Sequence, residues 1–252
     1  MIQARMSSVR LPEKIMLKAC GKTLLEHLID RVKQAKKLEK IMVATTTNIK
    51  DNVVEQVCID NNVECFRGPE DDVLSRYKLA SDKAGASIIV KLHADSPLID
   101  PIIIDKVIEI FLNGDFDYVS NLFPKQGTYP EGTSVEVFSS KTLEQVYNEA
   151  ERPSEREHAS SFIWKQPHRY KLYRLDMTKN LSNYRLDVDY KEDYTLVKSV
   201  FEGLFPQNPY FTLNDIISWL DSHPEVLKFN SHIKTDEGWS KSLEKDRKLG
   251  FE

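Results

Sequence analysis

A basic loop near the start of the chain carries the residues best suited to chemistry. Arg5, Arg10 and Lys14 fall within ten residues, and the small residues Ser7 and Ser8 lie between them. Guanidinium, ammonium and exposed backbone N–H groups all bind phosphate oxygens, so the loop predicts a polyphosphate site. A solvated basic segment would show the same spacing, and the loop alone does not separate the two interpretations.

The elements around this loop predict how it is positioned. In chain order they are a helix over 23–38, a strand over 40–44, a helix capped by Asp51, a strand over 63–66, a helix from Asp71 or Asp72 to Gly85, a strand over 87–92, and a helix from Asp100–Pro101 to about 113. Strands joined by helices form right-handed crossovers in a parallel sheet covered on both faces. We therefore predict an α/β, doubly wound, mostly parallel Rossmann-like sheet, whose ligands bind beyond the carboxyl ends of its strands.

The alternation becomes less regular after residue 117. The predicted elements there are a strand over 135–138, helices over 141–150 and 154–164, extended segments over 171–175 and 185–188, and helices over 192–204 and 212–222. Residues 223–252 are polar and weakly patterned. We expect residues 1–222 to form one domain and residues 223–252 to form a peripheral C-terminal tail.

Composition excludes several classes of function. The formal charge is −4, which argues against a broad surface for nucleic acid or an anionic membrane. No apolar run approaches the roughly 18 to 20 residues of a membrane-spanning helix. Three cysteines without a Cys-x-x-Cys pair suggest neither a disulfide framework nor a zinc site, so a reducing cytoplasm is the expected location.

Eight segments, in order along residues 1 to about 222, resemble one protein family. It comprises the bacterial cytidylyltransferases that activate sugar acids. The chain is most similar to the spore coat polysaccharide biosynthesis protein F branch, with 3-deoxy-manno-octulosonate and acylneuraminate cytidylyltransferases as relatives. The segments are Gln3–Lys14, Phe66–Arg76, Ala94–Asp100, Asp117–Asn121, Tyr129–Gly132, Val135–Phe138, Glu155–His158 and Val188–Asp193.

The resemblance implies transfer of CMP from CTP to a sugar or sugar-acid acceptor, with release of pyrophosphate and dependence on Mg²⁺. It implies catalytic roles for Arg5, Arg10, Lys14 and Asp95, and it pairs Asp95 with Asp189 as metal ligands. The implied nucleotide-binding residues are Gln3, Ala4, Arg5, Ser7, Arg10, Lys14, Ala44, Thr45, Thr46, Asp71, Arg76 and Asp95. The implied acceptor-binding residues are Tyr129, Glu131, Glu136, Arg156 and His158.

The resemblance also implies a homodimer. Relatives commonly dimerise through the segment that corresponds to 135–171, where Phe162, Ile163 and Trp164 offer apolar surface. The same three residues would equally serve to complete the core of a single chain.

Several of these residues have simpler interpretations. Asp95 could cap a strand end and Asp189 could cap a helix, while Asp187, two residues from Asp189, is an auxiliary or rival ligand. Residues 44–46 and 70–76 could serve only to cap the helices that follow them. Arg156 and His158 are two apart on a predicted helix, so at most one is expected to face the site. His93, two residues before Asp95, is a further candidate for a phosphate contact.

Five positions depart from the family pattern. Ser7, Ala94 and Glu13 stand where glycine is common, Val9 where threonine is, and Ser134 where an acidic residue is. A positive φ at Ser7 would carry a conformational strain that glycine does not have. Glu13 adds negative charge beside the triphosphate. Both predict weaker nucleotide binding.

The first strand is a further departure, because relatives carry four to six apolar residues before the basic loop. Only Met1 and Ile2 precede it here, which predicts either an upstream start or an impaired copy whose central strand is missing. The alternative function is therefore a catalytically weak nucleotide-binding relative that acts as a partner or regulatory subunit.

Overall fold

The computed structural model describes residues 1–124, 127–233 and 237–251. In chain order the strands are β1 Ile2–Gln3, β2 Lys18–Ala19, β3 Lys22–Thr23, β4 Met42–Thr46, β5 Glu64–Gly68, β6 Ile88–His93, β7 Tyr118–Ser120, β8 Glu136–Ser139 and β9 Leu172–Arg174. The helices are α1 Leu24–Val32, α2 Asn52–Asp60, α3 Val73–Ala84, α4 Pro101–Asn113, α5 Ser140–Glu149, α6 Pro153–Glu157, α7 Ser161–Trp164, α8 Lys191–Leu204, α9 Leu213–Ser222, α10 Pro224–Leu227 and α11 Glu237–Lys248.

One sheet of seven strands runs through the molecule in the order β5-β4-β1-β6-β8-β7-β9. Its first four strands are mutually parallel, β8 is antiparallel to both of its neighbours, and β9 is parallel to β7. Helices α1, α4, α8 and α9 pack into the core on one face, and α3, α5 and α7 pack on the other. The predicted doubly wound, mostly parallel α/β fold is confirmed.

The short first strand occupies the centre of this sheet. Ile2 is paired with Val43 of β4 on one side and with Leu92 of β6 on the other. The pairing continues past the strand, because the Ala94 N–H donates to the Gln3 carbonyl over 2.9 Å. The neighbours are therefore hydrogen-bonded along this segment, contrary to the expectation of an empty central position.

Local signals in the sequence set most helix ends correctly. Asp100 caps α4 by accepting from the Ile102 N–H over 2.8 Å, and Thr212 caps α9 through a capping box. Asp72, rather than Asp71, caps α3, which ends at Gly85 with φ 62°. Among the described residues, no helix combines the length and the apolar character needed to cross a membrane.

The helix predicted over 154–164 is wrong as a single element. It divides into α6 and α7, with His158 between them in a non-helical conformation. Ile163 is fully buried and Phe162 is nearly so, in the core cluster beneath α3 and α5. Trp164 stacks on Phe123 with ring centroids 5.6 Å apart. The apolar surface proposed for a dimer therefore completes the core of this chain.

The C-terminal region is not the expected peripheral tail over residues 237–248. Helix α11 packs against α6, where the Ser154 N–H donates to Asp246 over 2.9 Å. Ser242 of α11 is buried and donates to Glu157 over 3.0 Å. This prediction fails because a largely polar helix is held here by hydrogen bonds to α6 and by packing of Trp239 against Trp164, contacts with residues far away in the chain.

Gly132 brings the loop after β7 against the segment before α8. Its φ is +84°, and a Cβ atom built there would lie 2.2 Å from the Asp187 backbone nitrogen. No side chain fits between these two backbones. Gly21 also has φ +83°, but nothing lies within 4 Å of its Cβ position.

Gly132 and Gly21 both have a positive φ, but only Gly132 lies against another segment of backbone. Substituting each by alanine therefore separates the effect of backbone strain from the effect of close packing. We expect Gly132→Ala to lower the free energy of unfolding by about 3 kcal/mol, because it adds overpacking to the cost of a positive φ. Gly21→Ala should cost only about 1 kcal/mol, since it carries the conformational cost alone. Urea denaturation measures both, and equal losses would contradict the contact at Gly132.

Candidate active site

A cleft of about 890 Å³ opens at the carboxyl ends of β1 and β6. It is lined by residues from the basic loop, from the end of β6, from the start of α3, from α6 and from α11. Ten of the catalytic, nucleotide-binding, acceptor-binding and metal residues that the resemblance implies lie on its surface: Gln3, Arg5, Ser7, Arg10, Lys14, Asp71, Asp95, Arg156, His158 and Asp189.

Lys14 lies at the centre of the charged end of the cleft. Its Nζ donates to Asp95 Oδ2 over 2.9 Å and to Asp189 Oδ1 over 2.8 Å. Burial would lower the pKa of Lys14, but the two carboxylates raise it above its ordinary value. Burial would likewise raise the pKa of Asp95, but Lys14 and His93 lower it to about 2. The structure thus brings together the two carboxylates that the resemblance pairs as metal ligands, with Lys14 between them.

Asp189 is held so that its carboxylate faces the basic loop. Its other oxygen, Oδ2, lies 2.7 Å from Arg10 Nη2. The Asp193 carboxylate accepts from the backbone N–H groups of Asp189 and Tyr190 at the start of α8. Since Asp193 satisfies the helix end, the capping role considered for Asp189 is not the one observed.

Arg185 is a buried residue that the sequence did not identify as part of the site. Its guanidinium lies 2.8 Å from Glu131, 2.9 Å from Asp193, 3.3 Å from Asp187 and 3.4 Å from Asp189. Burial would lower the pKa of Arg185, but these carboxylates raise it. Three of these carboxylates follow Arg185 within eight residues, so this local run of acids is a sequence signal that could have identified it, whereas the contact with Glu131 joins a distant segment.

Asp187 shares Arg185 with Asp189, so the two acids lie on one side of the segment as their spacing predicts. It is buried, and its Oδ1 has no hydrogen-bond partner among the described residues. Burial and the charge of Glu131 raise the pKa of Asp187 well above its usual range. Asp187 is therefore the least stabilised anion of this group.

The basic loop is held by hydrogen bonds to Asp51 and Glu70, while Arg5 has no ion pair among the described residues. Asp51 does not cap α2 with its side chain but accepts from the Met6 N–H over 2.7 Å and from the Thr46 hydroxyl. Ser7 Oγ donates to Glu70 over 2.7 Å. Arg5 lines the cleft and makes no hydrogen bond or ion pair with the part of the chain that the structure describes.

The backbone strain expected at Ser7 lies instead at Glu13. Glu13 has φ 57° and ψ 21°, whereas Ser7 is not among the described residues with positive φ. The left-handed conformation explains why glycine suits position 13 in relatives. Glu13 is exposed and directly precedes Lys14.

Several predicted nucleotide-binding residues do not reach the cleft. Thr45 and Thr46 are fully buried in β4, as are their neighbours Ala44 and Ala4. Arg76 is also fully buried and donates to the Pro69 carbonyl over 2.7 Å. These residues support the loops that form the cleft, and their direct contact with a nucleotide stays a prediction.

Two of the predicted acceptor residues face the cleft together, which corrects the expectation that at most one would. Helix α6 ends at Glu157, and the next residue, His158, has φ −111° and ψ 73°, so helical spacing does not relate His158 to Arg156. Arg156 pairs with Asp72 at 2.6 Å. His158 Nε2 lies 3.0 Å from Ser242 Oγ, and burial together with Lys91 lowers the pKa of His158 to about 4.

The other three predicted acceptor residues lie elsewhere. Glu136 is fully buried, and its carboxylate accepts from Lys91 and from the Tyr118 hydroxyl, each over 2.6 Å. Burial would raise the pKa of Glu136, but Lys91 and His93 hold it well below its usual range. Tyr129 is buried in the core, and Glu131 binds Arg185.

Lys91 and His93 line the cleft in their place. Both lie on β6 at a spacing of two, and Asp95 follows at the same spacing. This alternation is a sequence signal that could have identified Lys91, which we did not consider.

The carboxylates fit a hard divalent cation. No group of three or more His, Cys, Asp or Glu side chains is arranged to hold a metal within the described ranges. However, Mg²⁺ is commonly bound by one or two carboxylates together with substrate phosphates. Asp95 and Asp189 converge on a single ammonium, which shows that one small cation can contact both.

Comparison with known proteins shows similarity to cytidylyltransferases over most of the chain. The family model described as Cytidylyltransferase matches residues 1–214. The spore coat polysaccharide biosynthesis protein SpsF of Bacillus subtilis is 29% identical, over 89% of this chain and 94% of SpsF. An uncharacterized protein of Methanocaldococcus jannaschii is 34% identical, over 92% of this chain and 94% of its own.

A solved structure is similar over nearly the whole chain. The structure of a cytidylyltransferase from Leptospira borgpetersenii serovar Hardjo-bovis has a TM-score of 0.86 and 31% identity. The similarity covers 94% of this chain and 97% of the Leptospira chain.

The acids of the site predict opposite pH dependences of stability. The folded-state pKa of Asp187 is raised. Its contribution to the free energy of unfolding is therefore fully present below about pH 4, where the acid is protonated, and is lost as pH rises. Asp187→Asn should therefore be more stable than the wild type in metal-free buffer at pH 7, with a difference that narrows toward pH 4.

Asp95 provides the control of opposite sign. The folded-state pKa of Asp95 is about 2. Its contribution to the free energy of unfolding is therefore present at neutral pH and is lost as pH falls toward 2. Asp95→Asn should be less stable than the wild type at pH 7. Urea denaturation from pH 3 to 7 measures both variants, and the same sign for both would contradict the assigned environments.

Proposed function

The chain belongs to the cytidylyltransferase family, and we propose that it transfers CMP from CTP to a sugar or sugar-acid acceptor, releasing pyrophosphate, for synthesis of a surface polysaccharide or glycan. The observation that carries this proposal is the charged end of the cleft, where Arg5, Arg10 and Lys14 face Asp95 and Asp189. The name of the SpsF relative supports the polysaccharide pathway.

The basic loop would bind the triphosphate and stabilise the leaving pyrophosphate. Arg5 has no ion pair among the described residues and is available to phosphate oxygens, and Arg10 is one-quarter exposed. Cations fixed where negative charge develops lower the barrier to phosphoryl and nucleotidyl transfer. Tethering of the loop through Asp51 and Ser7 keeps these donors in place without reorganisation.

Asp95 and Asp189 are the residues that would hold Mg²⁺. The bound ion would supply charge neutralisation of the phosphates. Arg185 and Asp193 orient Asp189 from beneath, and the Val188 N–H donates to the Asp95 carbonyl over 2.8 Å, which joins the two ligand segments.

The acceptor would occupy the opposite end of the cleft. Arg156, His158, Lys91 and Ser242 supply polar groups there, and most of their charges are already paired within the chain. Paired ions and neutral imidazole suit the hydroxyl groups of a sugar. An acceptor oxygen that attacks the α-phosphate in line would need only positioning at this end.

Two further expectations remain proposals. The cysteines Cys20, Cys58 and Cys65 are all free, which supports a reducing cytoplasm. A homodimer would have to use residues other than Phe162 and Ile163, since both are buried within the chain.

Replacement of Asp95 tests the proposed reaction. We expect Asp95→Asn to lower CTP-dependent pyrophosphate release by about 100-fold or more, because one metal carboxylate is lost. The assay uses CTP, Mg²⁺ and a panel of sugar acids and sugar phosphates. Asp82→Asn, an exposed acid on α3, is the matched control and should keep full activity.

Thermal stabilisation by each nucleoside triphosphate completes this test. CTP-selective stabilisation with pyrophosphate release supports the enzyme. CTP-selective stabilisation without release from any acceptor would instead support the nucleotide-binding relative. Full activity of Asp95→Asn would refute the metal assignment.

A further inference from the structure

We propose that Lys14 occupies the cation position between Asp95 and Asp189 until a triphosphate draws it away, so that the divalent cation enters with the nucleotide and not before it. This inference rests on the proposed function for the identity of the nucleotide and of the metal ligands. It adds an order of binding and assigns Lys14 the role of a built-in competitor of the metal.

The contacts of Lys14 are those of a bridging cation. Its ammonium lies within 2.9 Å of one oxygen from each carboxylate, and it joins residues that are 81 and 175 positions away along the chain. The residue is 9% exposed, and Ile15 beside it is buried in the core. The backbone of the turn Lys14–Met16 is thus anchored, and the side chain extends from it to the two acids.

The remaining charges around Asp189 disfavour a bare metal ion. Arg10 lies 2.7 Å and Arg185 lies 3.4 Å from the Asp189 oxygen that Lys14 does not contact. A divalent cation arriving alone would meet these guanidinium groups and would also have to displace the ammonium. Repulsion between like charges at such distances is strong where water is partly excluded.

A triphosphate changes this balance. Lys14 and Arg5 both line the cleft, so phosphate oxygens placed there can accept the hydrogen bonds that Lys14 donates to the carboxylates. The ammonium of Lys14 would then be held by phosphate, and Asp95 and Asp189 would be the residues available to hold the divalent cation, which would neutralise phosphate charge. Each charge remains paired, and no step requires an unpaired carboxylate or an unpaired ammonium.

Binding of Mn²⁺ without turnover tests this order. Free Mn²⁺ is measured by electron paramagnetic resonance, with and without a CTP analogue that carries a methylene bridge between the α and β phosphates. The wild type should bind Mn²⁺ weakly alone and in a saturable, one-to-one manner with the analogue. Lys14→Met should bind Mn²⁺ without the analogue at least about tenfold more tightly than the wild type.

Two controls separate this effect from net charge and from misfolding. Lys18→Met removes the same charge from an exposed position and should behave as the wild type. The double variant Lys14→Met with Asp189→Asn should lose the gained affinity. If Lys14→Met is less stable, added Mn²⁺ should raise its melting temperature more than that of the wild type, since the ion binds the folded state.

Two results would overturn the proposal. One is nucleotide-free Mn²⁺ binding by the wild type as tight as that of Lys14→Met. The other is a gain in Mn²⁺ affinity that survives Asp189→Asn. Failure of this proposal can be told apart from failure of the proposed function. If the protein bound no CTP or released no pyrophosphate, the nucleotide-free comparison of the wild type with Lys14→Met would still show whether Lys14 excludes Mn²⁺.

Discussion

The ammonium of Lys14 between two carboxylates is the interaction on which the geometry of the cleft depends. Asp95 follows β6, Asp189 precedes α8 and Lys14 ends the loop after β1, so this one group joins three segments. Two acids drawn together in a partly buried cleft repel each other unless a cation lies between them. The chain supplies that cation itself, and the same requirement makes the site suitable for a divalent metal and a polyphosphate.

Beneath this contact, a second set of buried groups holds the site in place. Arg185 gathers four carboxylates, Asp193 accepts from the backbone before α8, and Asp51 accepts from the backbone of the basic loop. Gly132 allows the loop after β7 to contact the backbone at Asp187. None of these residues needs to touch a substrate. Their effect is to fix the direction of the groups that do, which is how enzymes stabilise developing charge without reorganisation.

The sequence predicted what local patterns and the family resemblance can encode. Asp100 before Pro101 and Thr212 mark helix starts because capping involves only neighbouring residues, and the Arg5 to Lys14 loop has a spacing visible in one segment. Glu136 was assigned to the acceptor because nothing local shows that Lys91 and Tyr118 bind it. His158 was misjudged because the helix ends one residue earlier. Arg185 is followed within eight residues by three of its carboxylate partners, so the sequence carries a local signal for it. The packing of α11 was missed because its contacts with α6 and with Trp164 join residues far apart in the chain.

We propose that the basic loop binds the triphosphate through cations that the fold leaves available, and Arg5, which lines the cleft, has no ion pair among the described residues. Calorimetric titration of CTP in excess Mg²⁺ into the wild type, Arg5→Met and the exposed control Arg247→Met tests it directly. We expect Arg5→Met to bind CTP about tenfold or more weakly than the wild type, since a charge-assisted contact to phosphate is lost, and the control to bind CTP as the wild type does. Equal CTP affinity of Arg5→Met and the wild type would contradict it.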